Sequence, residues 1–214
     1  MKKIFIKIAK LLGFEIIDQS NFVSPTLNKD LNDDLTLINK KSIVLPLGEV
    51  KITKKVKSLL IIFRTNTEIE IWDQNKKRLF EKPKIEYSLR SLSSLFKSIN
   101  FCKLKYPNIK FKMIIVDDKS KEENLNKIKK LIDKNDLNVS INSLNHKKYK
   151  DIIKRQKNDQ TFSNLASLLQ SFEIGKDNGE DLIFFVEDDY LHLESMMEEM
   201  ISSYERIASQ INQE

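Results

Sequence analysis

The sequence predicts an α/β protein with a mostly parallel sheet flanked by helices and preceded by an N-terminal extension. Three observations carry this. Apolar runs of strand length stand at 58–63, 111–116 and 182–186. Between them apolar residues recur at helical spacing, and such alternation implies crossover helices joining parallel strands. Each run also stops at polar residues, where open α/β sheets take their ligands. The stops are Arg64-Thr65-Asn66, Asp117-Asp118-Lys119-Ser120 and Glu187-Asp188-Asp189.

In chain order, residues 1–57 form the extension and 58–214 the main domain. Ile4, Ile8, Leu11 and Leu12 share one face of a short amphipathic helix, with Lys3, Lys7 and Lys10 largely off it. Packing of that stripe on the protein is favoured over peripheral contact of residues 2–12 with an anionic membrane. Residues 14–40 are polar and loop-rich. Residues 42–52 give two extended pieces around Pro46 and Gly48.

After strand 58–63, Glu68–Trp72 alternates like a strand or a loop insertion. Helix 85–103 follows from Ile85, Leu89, Leu92, Leu95, Phe96, Ile99 and Cys102. Pro107 marks a turn before strand 111–116. Helix 121–134 presents Leu125, Ile128, Leu131 and Ile132, and Leu137–Ile141 alternates as a strand. Helix 161–175 presents Phe162, Leu165, Ala166, Leu169 and Phe172, with Gly175 as its cap. The last helix, 192–211, carries Met196, Met197, Met200, Ile201, Tyr204, Ile207 and Ile211. Its methionines read as core filling.

Composition narrows the function classes. The formal charge is +6, but the lysines are scattered without interleaved aromatics, which argues against a nucleic-acid-binding face. An anionic nucleotide or lipid surface remains compatible with the charge. Cys102 is the only cysteine, so no intrachain disulfide forms and a cytoplasmic location is expected. No apolar run approaches the ~20 residues of a membrane span. Phosphate-loop and dinucleotide glycine motifs are absent, as is a serine-nucleophile elbow.

The chemistry sits at the strand ends. Three adjacent carboxylates repel one another unless a cation or hydrogen-bond donors compensate. In an extended segment Glu187 and Asp189 point to one side and Asp188 to the other, so the pair suits a hard divalent ion. Acids starting the next helix are the competing reading. Asp117 and Asp118 suit a nucleobase or ribose, while Ser120 with Glu123 also fits a helix-capping box. Arg64 suits phosphate, or a salt bridge to the neighbouring acids. His146 and His192 are the only histidines, and His192 lies near the acids.

Together these motifs resemble the family 2-like nucleotide-sugar glycosyltransferases of the GT-A fold. The resemblance covers about 58–200. Phe63-Arg64-Thr65-Asn66 stands for the first nucleotide strand, Asp117-Asp118-Lys119-Ser120 for the Asp-Asp-x-Ser motif, and Glu187-Asp188-Asp189 for Asp-x-Asp. Arg90–Leu95 matches the helix after the first strand, and Ser163–Ser167 the small-residue and Asn segment before the metal strand.

The resemblance implies a GT-A-like, Rossmann-like sheet. It also implies a nucleotide-sugar-binding set of Arg64, Thr65, Asp117, Asp118, Glu187 and Asp188, with Mg²⁺ or Mn²⁺ on Asp189 and Glu187. The expected activity is transfer of a sugar from a nucleotide-diphosphate donor to a glycan, lipid or protein acceptor. Glu187 replaces the family's first Asp, and Lys119 its usual Gly. The family's acceptor half and catalytic base follow the metal strand by many tens of residues. With the sequence ending at Glu214, the expectation is a domain lacking that half. A non-catalytic nucleotide-binding or assembly module, and another metal-dependent α/β phosphotransferase, are the alternative readings.

Overall fold

The computed structural model describes residues 8, 11–12, 52–69, 79–153 and 159–211. The chain divides into two units, Met1–Val50 and Lys51–Glu214. In the first, the Leu12 amide donates to the Ile8 carbonyl at 3.1 Å, a single helical turn. Ile8, Leu11 and Leu12 are exposed. The other expectations for 1–50, loop and extended pieces alike, lie outside the described residues.

The second unit is an α/β layer structure. Its strands are β1 (Ser58–Thr65), β2 (Lys110–Asp117), β3 (Asn138–Ser143) and β4 (Leu182–Glu187). They form one all-parallel sheet in the order β3-β2-β1-β4. The helices are α1 (Lys84–Lys105), α2 (Glu122–Ile132), the single turn α3 (His146–Tyr149), α4 (Asp159–Asn178) and α5 (Met196–Ile211). Among the described residues no helix is long and apolar enough to cross a membrane.

The period of two sorts each strand between the two faces. Leu59, Ile61 and Phe63 of β1, with Phe111, Met113 and Ile115 of β2, enter the larger core. There α1 presents Leu92, Leu95, Phe96 and Ile99, α2 presents Ile128, and α5 presents Met197 and Ile201. Each such fully buried side chain contributes roughly 1.5–3 kcal/mol of transfer free energy. Leu60, Ile62, Ile114 and Val116 face the other way, toward Ile174 of α4. Cys102 is fully buried, and burial raises its thiol pKa to about 11, so it packs as an apolar residue.

Several elements differ from the sequence reading. α4 continues to Asn178, so Gly175 lies inside the helix rather than capping it. A Cβ there would stand 3.1 Å from the Phe185 ring and 3.4 Å from Ile62, so the glycine permits close approach of helix to sheet. α5 begins at Met196, four residues after the expected start at His192, and Ile207 is exposed. Of the 68–72 alternation, Glu68 lies in a turn and Ile69 in irregular chain, and the rest is outside the described residues. The short α3 has too few residues for a periodic signal.

Residues 52–57 belong with the second unit, tied to α5. The Thr53 and Lys54 amides both donate to Ser209 Oγ at 2.9 Å, and the Val56 amide donates to Glu205 Oε1 at 2.9 Å.

Candidate functional site

Strand order creates the site. From β1 the chain steps to β2 and then β3 with α1 and α2 on one face. It then returns past its starting strand to β4, with α4 on the other face. Right-handed crossovers require that change of face when the direction reverses. The reversal opens a crevice between the carboxyl ends of β1 and β4, where doubly wound sheets bind ligands. A cleft of ≈ 350 Å³ lies there, lined by Arg64, Thr65, Asn66, Lys84, Asp118, Asn164 and Glu187–Asp189, among others.

The three acids of β4's end have different fates. The strand stops at Glu187, and Asp188 and Asp189 form a turn, so the expected extended alternation does not persist. Asp188 turns inward and is 6% exposed. Its Oδ1 lies 2.7 Å from Lys84 Nζ. Its Oδ2 accepts from Thr65 Oγ1 at 2.7 Å and Ser88 Oγ at 2.5 Å. Glu187 is ion-paired to Arg64, whose other terminal nitrogen donates to Asn164 Oδ1 at 3.2 Å. Asp189 is exposed and makes no hydrogen bond or ion pair among the described residues. The salt-bridge reading of Arg64 therefore holds, and Asp188 lines the cleft with its charge already compensated.

The β2 end is equally ordered. Asp118 lines the cleft, its Oδ2 accepting from Asn66 Nδ2 at 3.0 Å and its Oδ1 lying 2.7 Å from His146 Nε2. Asp117 lies behind it, 3% exposed. Asp117 Oδ2 accepts from the Ser120 amide at 3.2 Å, while buried Oδ1 has no partner among the described residues. Burial, ahead of the repulsion from Asp118 and Asp188, raises the Asp117 pKa, against the lowering effect of the Ser120 bonds. Lys119 stands at φ 60°, the left-handed region that glycine occupies without strain. Ser120 does not cap α2. Its Oγ accepts from the Thr67 amide at 3.0 Å, and Lys121 sits at the helix start with no side-chain cap.

The sequence reading missed Lys84 and a serine row on α1. Ser88 and Ser91 donate to Asp188 and to the Glu187 carbonyl, the latter at 3.5 Å. Ser94 and Ser98 accept from the His192 and Met197 amides at 3.0 and 2.9 Å. Signals for both existed. A lysine in a helix's first turn opposes the macrodipole, and mid-helix serines are neutral to unfavourable unless they have partners to bond. His146, read only as one of two histidines, contributes through Asp118. His192 does not reach the acids. Its Nε2 is buried without a partner among the described residues, and burial lowers its pKa.

Among the described residues no three His, Cys, Asp or Glu side chains converge as a cation cage. Mg²⁺ commonly needs only one or two carboxylates when substrate phosphates complete its shell. The cleft sets four carboxylates, Asp118, Glu187, Asp188 and Asp189, against two cations, Arg64 and Lys84. Arg64 and Lys84 are taken by Glu187 and Asp188, which leaves Asp118, held by Asn66 and His146, and Asp189, which has no partner among the described residues and fits a cation that arrives with an anionic ligand. Glu187 would have to release Arg64 to join it.

No family model, no curated protein and no solved structure matches this chain.

Proposed function

We propose that the cleft binds the nucleoside diphosphate of a nucleotide sugar, and that the protein is a glycosyltransferase of the GT-A type acting through that donor. The observation that supports this best is the convergence of three strand ends on the β1/β4 switch point, with Arg64, Asp118 and Asp189 lining one cleft.

In this reading Asp118 faces the base or ribose. A carboxylate offers about four acceptor sites. Asn66 and His146 use some of them to set its plane, and the rest serve the ligand. Arg64, pre-oriented by Glu187 and Asn164, faces the phosphates. Lys84 places a second fixed positive charge in the cleft wall. Asp189, assisted by Glu187 if Arg64 turns to the phosphates, would hold Mg²⁺ or Mn²⁺ together with the diphosphate. Such an ion, when bound, supplies the positive charge that a departing diphosphate needs.

The test is calorimetric titration of UDP, GDP, CMP and their sugars into the full chain, with Mn²⁺ and with EDTA. One nucleotide should bind in Mn²⁺, and Asp189→Asn should weaken it about tenfold or more with the circular dichroism unchanged. Binding by none of them, or binding indifferent to Asp189→Asn, would end this reading.

A further inference from the structure

We infer that the outer edge of β4 is a docking surface for an extended apolar segment of a partner protein, flanked by lysine or arginine and added to the sheet as a further β-strand. The inference does not depend on the nucleotide reading.

β4 pairs with β1 and ends the sheet, so one side of its backbone lacks a ladder partner among the described strands. The two ends of this sheet differ in kind. β3, at the far end, interleaves its apolar residues with Asn138, Ser140, Asn142 and Ser143, a polar edge that discourages pairing. β4 reads Leu-Ile-Phe-Phe-Val before Glu187, with nothing to blunt it. Ile183 and Phe185 stay 37% and 39% exposed, and Phe185 leans edge-on against Phe172, itself 54% exposed.

A groove of ≈ 710 Å³ follows this edge. Phe184, Phe185 and Val186 line it from the strand, Leu168 from α4, and Met196 and Met200 from α5. It therefore offers apolar contacts above and below the sheet plane, which the alternating side chains of an added strand require. His192 also lines it.

Charge selects the occupant. The chain as a whole is +6, yet from Asn178 to Tyr204 it contains no lysine or arginine. Glu180 and Asp181 stand at one end of β4 and Asp189 just past the other, with Glu194 and Glu199 close behind in sequence, while Glu187 is paired with Arg64, the one cation lining the groove among the described residues. Two copies pairing antiparallel through this edge would oppose acid to acid at both ends, which is unfavourable. A segment with basic flanks meets the opposite charge at both ends.

The probe is a fluorescein-labelled peptide, Lys-Lys-Val-Ile-Val-Thr-Val-Lys-Lys, with a twin in which every Lys is Glu. Anisotropy is read with the full chain at low and high salt. The basic peptide should bind roughly tenfold or more tightly than the acidic twin and weaken with salt. Its binding should be lost in Phe185→Lys and should slow hydrogen exchange of the β4 amides. Leu191 also lines the groove and is 75% exposed, so Leu191→Lys serves as the second variant if Phe185→Lys does not fold. Equal binding of the two peptides, or binding unaffected by a folded variant, overturns the inference. Sedimentation showing a dimer that Phe185→Lys dissolves, with the peptide ignored, overturns it in favour of a second copy of the chain.

Discussion

Replacing Lys84 by Met removes a buried charge while keeping most of the side chain's volume. The Lys84 and Asp188 side chains are only 10% and 9% exposed. Deleting one member of a buried pair strands the other charge and costs about 3–5 kcal/mol. One feature of this site lowers the figure: Asp188 retains the hydroxyls of Thr65 and Ser88 as donors. The expected destabilisation is therefore about 2–3 kcal/mol. A unit of this size loses roughly 2–4 °C in Tm per kcal/mol, so the fall is about 4–12 °C. Urea unfolding at pH 7 measures it. In a double-mutant cycle, Lys84→Met should cost far less in an Asp188→Asn background, with a coupling of about 2 kcal/mol. A single-variant loss below about 1 kcal/mol, or an equal loss in both backgrounds, would refute the assignment of Lys84 as the compensating charge.

Two further outcomes follow from the β2 end. Because burial raises Asp117, its folded form keeps a proton that the unfolded chain has released. The stability it contributes is thus present below the unfolded carboxylate value near 4 and lost as pH rises from there toward the raised folded value. Asp117→Asn should match the wild type near pH 4 and exceed it at neutral pH in urea midpoints, whereas parallel pH profiles would contradict the argument. Lys119 at φ 60° carries a left-handed cost of about 1–2 kcal/mol, of which glycine's extra unfolded entropy gives back about 0.5–1. Lys119→Gly should therefore melt at or above the wild type and above Lys119→Ala, and a lower Tm for the glycine variant than for the alanine one would show that the turn is unstrained.

Legibility followed the range of the interaction. Strands β1, β2 and β4 and helices α1, α2 and α4 were readable from sequence. An apolar run or a helical stripe reports local burial, and Leu92, Ile99 and Ile128 are buried as their spacing requires. The acids at the strand ends were readable for the same reason, since each apolar run visibly stops there. Gly175 and Ser120 were misread because local rules for helix ends match both, while their actual partners, Phe185 and the Thr67 amide, are distant or lie on another strand end.

The sequence by itself determined the class of the sheet, the direction of its strands and the end at which polar groups collect. Only the tertiary structure decided that β4 lies beside β1, because strand order is set by crossovers and face packing rather than by any local run. That neighbour relation turns three equivalent-looking acids into three different groups. Asp188 is folded onto Lys84, Glu187 is held by Arg64, and Asp189 is left open to the cleft. A carboxylate's role depends on which charges and donors lie within a few ångströms, and those neighbours come from α1 and β1, far away along the chain.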